Sequence, residues 1–284
     1  MKKKLVMALV LSMSLGLAAC GSTSSESSGS EDTEETVEES TEETEETEAE
    51  DAGEEESADE AEDAETVAVM TYEEYAAAEL DTQVCVETYV QATQSWWDDT
   101  ITAYTQDEDG AYFLYNMTCS EEDAELLVPG TKIIVTGYKS EWSGEVEIID
   151  ATFEFADDGD SYVAEALDVT DLLADESLED YQNQFVSFTG MTVEPSTDAD
   201  GNEVAFLYNW DGSGEAGSNC DLYFNVSVNG ETYNFTVESY LCGEDTEVYQ
   251  TVTELEVGDV IDMEGFLYWY EGVNPHITSV TVVG

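Results

Sequence analysis

Leu127-Val128-Pro129-Gly130-Thr131-Lys132-Ile133-Ile134-Val135-Thr136-Gly137-Tyr138, running on to Trp142-Ser143-Gly144, occurs twice in this chain. The second copy is Leu255-Glu256-Val257-Gly258-Asp259-Val260-Ile261-Asp262-Met263-Glu264-Gly265-Phe266, running on to Tyr270-Glu271-Gly272. Laid on each other without a gap, Gly130 matches Gly258, Gly137 matches Gly265, Gly144 matches Gly272 and Ile149 matches Ile277. A repeated phrase of this kind decides architecture before any local propensity does. It predicts two related β-domains in tandem. In each copy the first glycine suits a tight turn into the strand, and the second allows a strongly bent strand.

Working outward from the first copy, strands are expected at Gln83–Ala92, Thr100–Thr105 and Ala111–Met117, with a hairpin turn at Asp109-Gly110. A short helix is expected over Cys119–Leu127, then strands at Thr131–Lys139 and Glu145–Phe155. Thr71-Tyr-Glu-Glu74 has the form of a capping box opening a further short helix. Around the second copy, Thr170–Ala174 and Ser177–Tyr181 read as helical. Strands are expected at Gln184–Val193, Val204–Trp210, Asp221–Val228 and Thr232–Val237, the last two joined at Asn229-Gly230. A helix over Cys242–Thr251 and strands at Asp259–Tyr268 and Ile277–Val283 complete the unit. The order strand, strand, strand, short helix, strand, strand resembles the OB-fold, a small closed barrel. The chain is therefore expected to be mainly β, with two tandem OB-like barrels over residues 66–156 and 161–284 and an insertion near 195–219.

The amino terminus has a different character. Lys2, Lys3 and Lys4 precede an apolar run from Leu5 to Leu17, too short to span a membrane permanently and suited to a signal sequence. Leu17-Ala18-Ala19-Cys20 follows and resembles the lipobox of bacterial lipoproteins. That resemblance implies a signal peptide over 1–19 and a diacylglyceryl group on Cys20, which anchors the chain on the extracytoplasmic face of the cell membrane. After Cys20, residues up to 65 are mainly Ser, Thr, Glu, Ala and Asp, with a single Val and no aromatic residue, which predicts a disordered acidic linker over 20–65.

Charge and residue inventory narrow the function. The net charge is -64 with five Lys+Arg in 284 residues. Polyanion binding works by neutralising phosphates with Lys and Arg, so nucleic acid is not expected as a partner. Nucleophilic triads need a histidine, and the one histidine, His276, sits between a Pro turn and a strand, expected at the surface or half-buried. Carboxylate pairs suited to a hydrolase occur everywhere by chance in so acidic a chain, so no enzyme is expected. Cys85 and Cys119 in the first domain, and Cys220 and Cys242 in the second, suggest one disulfide per domain outside the cytoplasm, with buried free thiols as the other reading. Asp198, Asp200, Asn202 and Glu203 place oxygen ligands along one loop, a candidate calcium site without EF-hand spacing.

Aromatic residues carry the remaining lead. Trp96, Trp97 and Trp142 fall in loops that can rim one face of an OB-type barrel. Trp210, Trp269 and Tyr270 are candidates for a second face in the second domain. The expected activity is non-catalytic binding of a glycan or peptide; a structural adaptor contacting another envelope protein is the alternative.

Overall fold

The computed structural model describes residues 67–156 and 159–284. The proposed signal peptide, Cys20 and the acidic segment to residue 65 lie outside the described residues. What is described consists of two five-stranded barrels in one compact unit.

The first barrel is built from β1 (Gln83–Thr93), β2 (Thr100–Gln106), β3 (Ala111–Thr118), β4 (Lys132–Trp142) and β5 (Glu145–Phe155), closed in the order β1-β2-β3-β5-β4. Neighbours run antiparallel except β3 and β5, which pair in parallel at Phe113↔Glu147 and Leu114↔Ile148. Alternation along the strands puts Val84, Val86, Val90, Leu114, Ile133, Val135 and Ile148 into one buried core, as the period-two rule requires. Helix α1 (Tyr72–Ala77) starts at the expected capping box, with Thr71 and Glu74 bonding each other's backbone N–H. Helix α2 (Glu121–Ala124), between β3 and β4, is capped by Ser120.

The second unit opens with β6 (Leu167–Asp168), two 3-10 turns at Thr170–Leu172 and Glu176–Tyr181, and β7 (Phe185–Glu194). The insertion folds as a small hairpin, β8 (Ser196–Thr197) with β9 (Glu203–Val204), followed by β10 (Phe206–Tyr208) along the edge of β11. Strands β11 (Leu222–Val228), β12 (Glu231–Val237), β13 (Val260–Phe266) and β14 (His276–Val282) complete the barrel, since β7 pairs with both β11 and β13. Here too the third and fifth strands meet in parallel, at Thr236↔His276. Helix α3 (Glu247–Thr253) takes the place of α2. It begins later than the sequence suggested because Thr246, not a residue near Cys242, supplies the cap oxygen to Tyr249 N–H. Both units thus have OB topology, and the chain is a tandem of OB-like barrels.

The matched glycines do matched work. Gly130 and Gly258 take φ of +91° and +98° at the turn before the fourth strand of each barrel. Gly137 and Gly265 sit at bulges in that strand. A Cβ at Gly137 would lie 2.8 Å from the Ile149 carbonyl oxygen, and one at Gly265 would run into the His276 carbonyl. Any side chain there would push the fifth strand away, so the bend needs glycine.

The barrels are joined by a shared aromatic cluster. Tyr104 and Phe113 of the first barrel pack with Phe266 and Tyr268 of the second. Tyr104 stacks on Phe266 with ring centroids 4.4 Å apart. Each such ring removes about 150–250 Å² from water, worth about 4 kcal/mol or more gross at ~25 cal/mol per Å². Polar bonds frame the cluster. Ser95 N–H donates to Tyr240 O (2.8 Å), Glu271 N–H to Ser143 O (2.8 Å), Phe185 N–H to Gln106 Oε1 (2.8 Å) and Gln182 Nε2 to Gly144 O (2.8 Å).

Two sequence readings change at this level. The cysteine pairs are not bridged: Cys85, Cys119, Cys220 and Cys242 are buried free thiols. Cys119 belongs to the first core, whereas Cys85 lies between the inward-facing Val84 and Val86 and points out of that core. The two are on opposite sides of the barrel wall. Cys242 faces the second core, while the Cys220 sulfur lies against the loop at Gly214. His276 is not at the surface either; it is 8% exposed and lies in the joint between the barrels.

Candidate ligand cleft

Between the barrels runs a cleft of about 1350 Å³. Its first-barrel wall comes from the β1–β2 loop and the outer faces of β2 and β3, with Trp97, Thr102, Tyr115 and Asn116. Its second-barrel wall comes from β10 to β12, with Leu207, Tyr223, Asn225, Asn234 and Thr236. The reason these side chains face outward is the strand period: Leu222, Phe224 and Val226 point into the core, so Tyr223 and Asn225 between them point into the cleft. Trp210 from the insertion and Tyr240 extend one side. The tips of the two fourth-to-fifth-strand hairpins meet at the rim, where Trp142 and Tyr270 have ring centroids 5.2 Å apart. They are corresponding residues of the repeat.

Four of the six aromatic residues singled out from the sequence therefore share one site. Trp97 and Trp210 are each 76% exposed, and Trp142 and Tyr270 about half exposed. Rings held this openly on a folded surface are costly in water and suited to stacking. The other two have structural roles. Trp96 packs on the first core and donates its indole N–H to Cys119 O (2.8 Å). Trp269 packs on the second core and its ring lies against Gly144. The separate faces expected from the sequence are one face, because the joint turns the two barrels toward each other.

The polar lining is pre-arranged. Asn234 Nδ2 donates to Asn225 Oδ1 (3.0 Å), Asn225 Nδ2 to Ser196 Oγ (3.1 Å), Asn274 Nδ2 to Asn234 O (3.3 Å) and Thr236 Oγ1 to Asn274 Oδ1 (3.2 Å). Asp221 accepts from the backbone N–H and hydroxyl of Ser239 at 2.9 and 2.7 Å. Glu238 accepts from Leu241 N–H (2.8 Å), and burial, with Asp221 nearby, pushes its carboxyl up to about 7. Among the described residues no Lys or Arg lines the cleft. Lys132 is held by Glu87 (2.9 Å) and Asp160 (3.7 Å). Lys139 donates to the carbonyls of Tyr75, Ala76 and Ala78 at the end of α1, where a cation offsets the helix dipole.

The floor is formed by His276, Tyr268 and Phe113. The imidazole stacks on Tyr268 at 4.1 Å between centroids, and Nδ1 lies 2.6 Å from Tyr104 Oη. Burial pushes the imidazole down to about 3, so it is neutral near pH 7. Behind it, Glu145 is fully buried and accepts from Trp269 N–H (2.9 Å). Burial pushes that carboxyl up to about 9, so it is a neutral acid at pH 7.

The loop proposed for calcium is a self-closed turn. Asp198 Oδ1 accepts from the N–H groups of Asp200 (3.0 Å) and Asn202 (2.7 Å), and Oδ2 from Asn202 Nδ2 (2.9 Å). These bonds hold the Asp198 carboxyl below its ordinary value. Among the described residues no group of three or more His, Cys, Asp or Glu is gathered to hold a metal. Asp200 and Glu203 are exposed beside this turn without converging on it.

The lining is partly a sequence success. Tyr223, Tyr240, Asn225, Asn234 and Asn274 were not singled out, although Tyr223-Asn225 and Asn234-Thr236 alternate with apolar residues along their strands. That outward-facing polar and aromatic row was the available signal.

No family model matches the chain, and no curated protein matches it. Solved structures similar to it include the Ifi202 HINa domain in complex with 20-base-pair double-stranded DNA. That likeness has 12% identity over 72% of this chain and 96% of that one, with a TM-score of 0.32. A murine DNA-binding protein bound with double-stranded DNA gives 10% identity over 70% and 96%, with a TM-score of 0.34. A Replication Protein A heterotrimer bound to single-stranded DNA gives 10% identity over 76% of this chain and 52% of that one, with a TM-score of 0.29. The expectation from charge that nucleic acid is no partner is withdrawn, since these similar structures were solved with DNA; their ligands are theirs and say nothing of what this chain binds.

Proposed function

We propose that this chain is a non-catalytic binding protein whose inter-barrel cleft holds an oligosaccharide. The observation that carries the reading is the convergence of Trp97, Trp142, Trp210 and Tyr270, from four separate segments, on one cleft rich in amides and hydroxyls. Flat exposed rings stack on the apolar faces of sugars, and fixed amides bond their hydroxyls. A cleft of this size, open along its length, suits several units of a polymer. The lipobox-like Leu17-Ala18-Ala19-Cys20 supports anchoring through Cys20 on the extracytoplasmic face of the membrane, and the acidic segment after it supports a tether. The test is calorimetric titration of the chain with neutral glycans, an unstructured peptide and a single-stranded oligonucleotide. Saturable glycan binding that drops about tenfold, or ~1.4 kcal/mol, on Trp97→Ala or Trp210→Ala supports the reading. Saturation by the peptide or the oligonucleotide alone refutes it.

A further inference from the structure

The cleft floor offers a ligand something that its stacking walls do not. His276 is 8% exposed, lines the cleft, and has Nδ1 engaged by the Tyr104 hydroxyl at 2.6 Å. The Tyr104 phenol is fully buried and keeps its proton, and we assign that proton to the contact with Nδ1, whose direction turns on the ring tautomer. The neutral ring then carries its own proton on Nε2, a tautomer assigned from this network. Among the described residues nothing bonds Nε2, and it is not one of the enclosed, unsatisfied atoms. A buried imidazole thus presents one N–H to the cleft. Stacking on Tyr268 fixes the ring plane, so this donor is oriented before a ligand arrives.

Around that donor the floor is apolar and acidic. Phe113, Tyr268 and Val273 line it, and so does Glu238, just past the end of β12 and two residues on from Thr236, which faces His276 across the parallel strand pair. The ligand group complementary to this patch has a carbonyl oxygen for Nε2–H, an N–H for a carboxylate oxygen, and a small apolar end for the rings. A hydroxyl, whose oxygen reaches two atoms less far than an acetamido carbonyl, meets at most the two polar demands and brings no apolar end; an acetamido group meets all three. Resting on the glycan reading above, we infer that His276 is a specificity-determining donor and that the cleft selects N-acetylated sugars. A buried donor left without an acceptor costs far more than a matched one gains, so discrimination comes chiefly from rejecting the sugar that lacks the carbonyl.

The test pairs two polymers with one backbone: the β-1,4-linked hexamer of N-acetylglucosamine and the β-1,4-linked hexamer of glucose. With the full chain, the N-acetylated hexamer is expected to bind at least tenfold tighter. His276→Phe keeps the stack and removes the donor, and should bring the ratio to within about threefold. Trp97→Ala should weaken both hexamers by a similar factor. A second readout needs no variant, because His276 is the sole histidine. Imidazole ¹⁵N labelling then gives one Nε2–H signal, which should move with the N-acetylated hexamer and stay with the glucose one. Equal binding of the two hexamers, a ratio unchanged in His276→Phe, or an unmoved Nε2–H signal overturns the inference while leaving the glycan cleft standing. Binding of neither hexamer overturns both.

Discussion

Replacing Glu145 by glutamine should leave the fold intact and remove most of its sensitivity to alkali. Glu145 is fully buried in the joint, one oxygen accepting from Trp269 N–H and the other enclosed, with the Asn183 side chain near the carboxyl. A protonated carboxyl fits this setting, and so does a primary amide. The folded-state value is raised, from an ordinary 4.5 to about 9. The stability it contributes is therefore fully present below pH 4.5 and lost as pH rises through 9. Between those limits the unfolded chain has released a proton that the folded chain keeps, at about 1.4 kcal/mol per pH unit. From pH 6.5 to 9 that amounts to about 3 kcal/mol, a large part of a typical domain's stability. Repulsion among the other carboxylates is common to both proteins and cancels in the comparison. The assay is urea unfolding of wild type and Glu145→Gln at pH 6.5 and 9. Wild type should lose about 3 kcal/mol more than the variant over that interval. Parallel losses in the two proteins would refute a buried neutral acid at this position.

Three further outcomes rest on the same burial. His276 has its folded value depressed from 6.5 to about 3, so wild-type stability should fall as pH drops through that window, and His276→Phe should flatten the acid limb of a melting curve. Trp96→Ala should cost about 3–5 kcal/mol in chemical denaturation, because it empties a site on the first core and orphans Cys119 O, whereas Trp97→Ala should stay within about 0.5 kcal/mol of wild type. The thiols of Cys85, Cys119, Cys220 and Cys242 should resist a thiol reagent in the native protein and all four react in denaturant without reductant; burial pushes Cys119 and Cys242 up to about 11. A mass two units lower per pair would show bridges instead.

The repeat around Gly130 and Gly258 made the fold legible, because a turn glycine and a bulge glycine at fixed spacing leave few ways to bend a strand. The capping residues Thr71 and Ser120 act as local chemistry predicts. The cleft was legible only in pieces. Trp97, Trp142, Trp210 and Tyr270 stand out by type, but nothing local distinguishes Trp97 from Trp96 or Tyr270 from Trp269. Each pair divides between core and solvent according to the packing of a distant segment. That the four exposed rings meet depends on Tyr104 and Phe113 finding Phe266 and Tyr268, a contact between residues more than a hundred positions apart in sequence. Of the two cysteine readings the bridged one does not hold, for a related reason: proximity along the chain says nothing about which side of a barrel wall a thiol takes.

The bonds from Ser95 N–H to Tyr240 O and from Glu271 N–H to Ser143 O are made wholly by peptide groups. A peptide group is the same whatever side chain it carries. The angle between the barrels is thus partly insulated from substitution at those four positions, and the cleft walls can be rewritten residue by residue without unhinging the frame. Such a joint makes the geometry of the cleft independent of much of what its walls are made to hold.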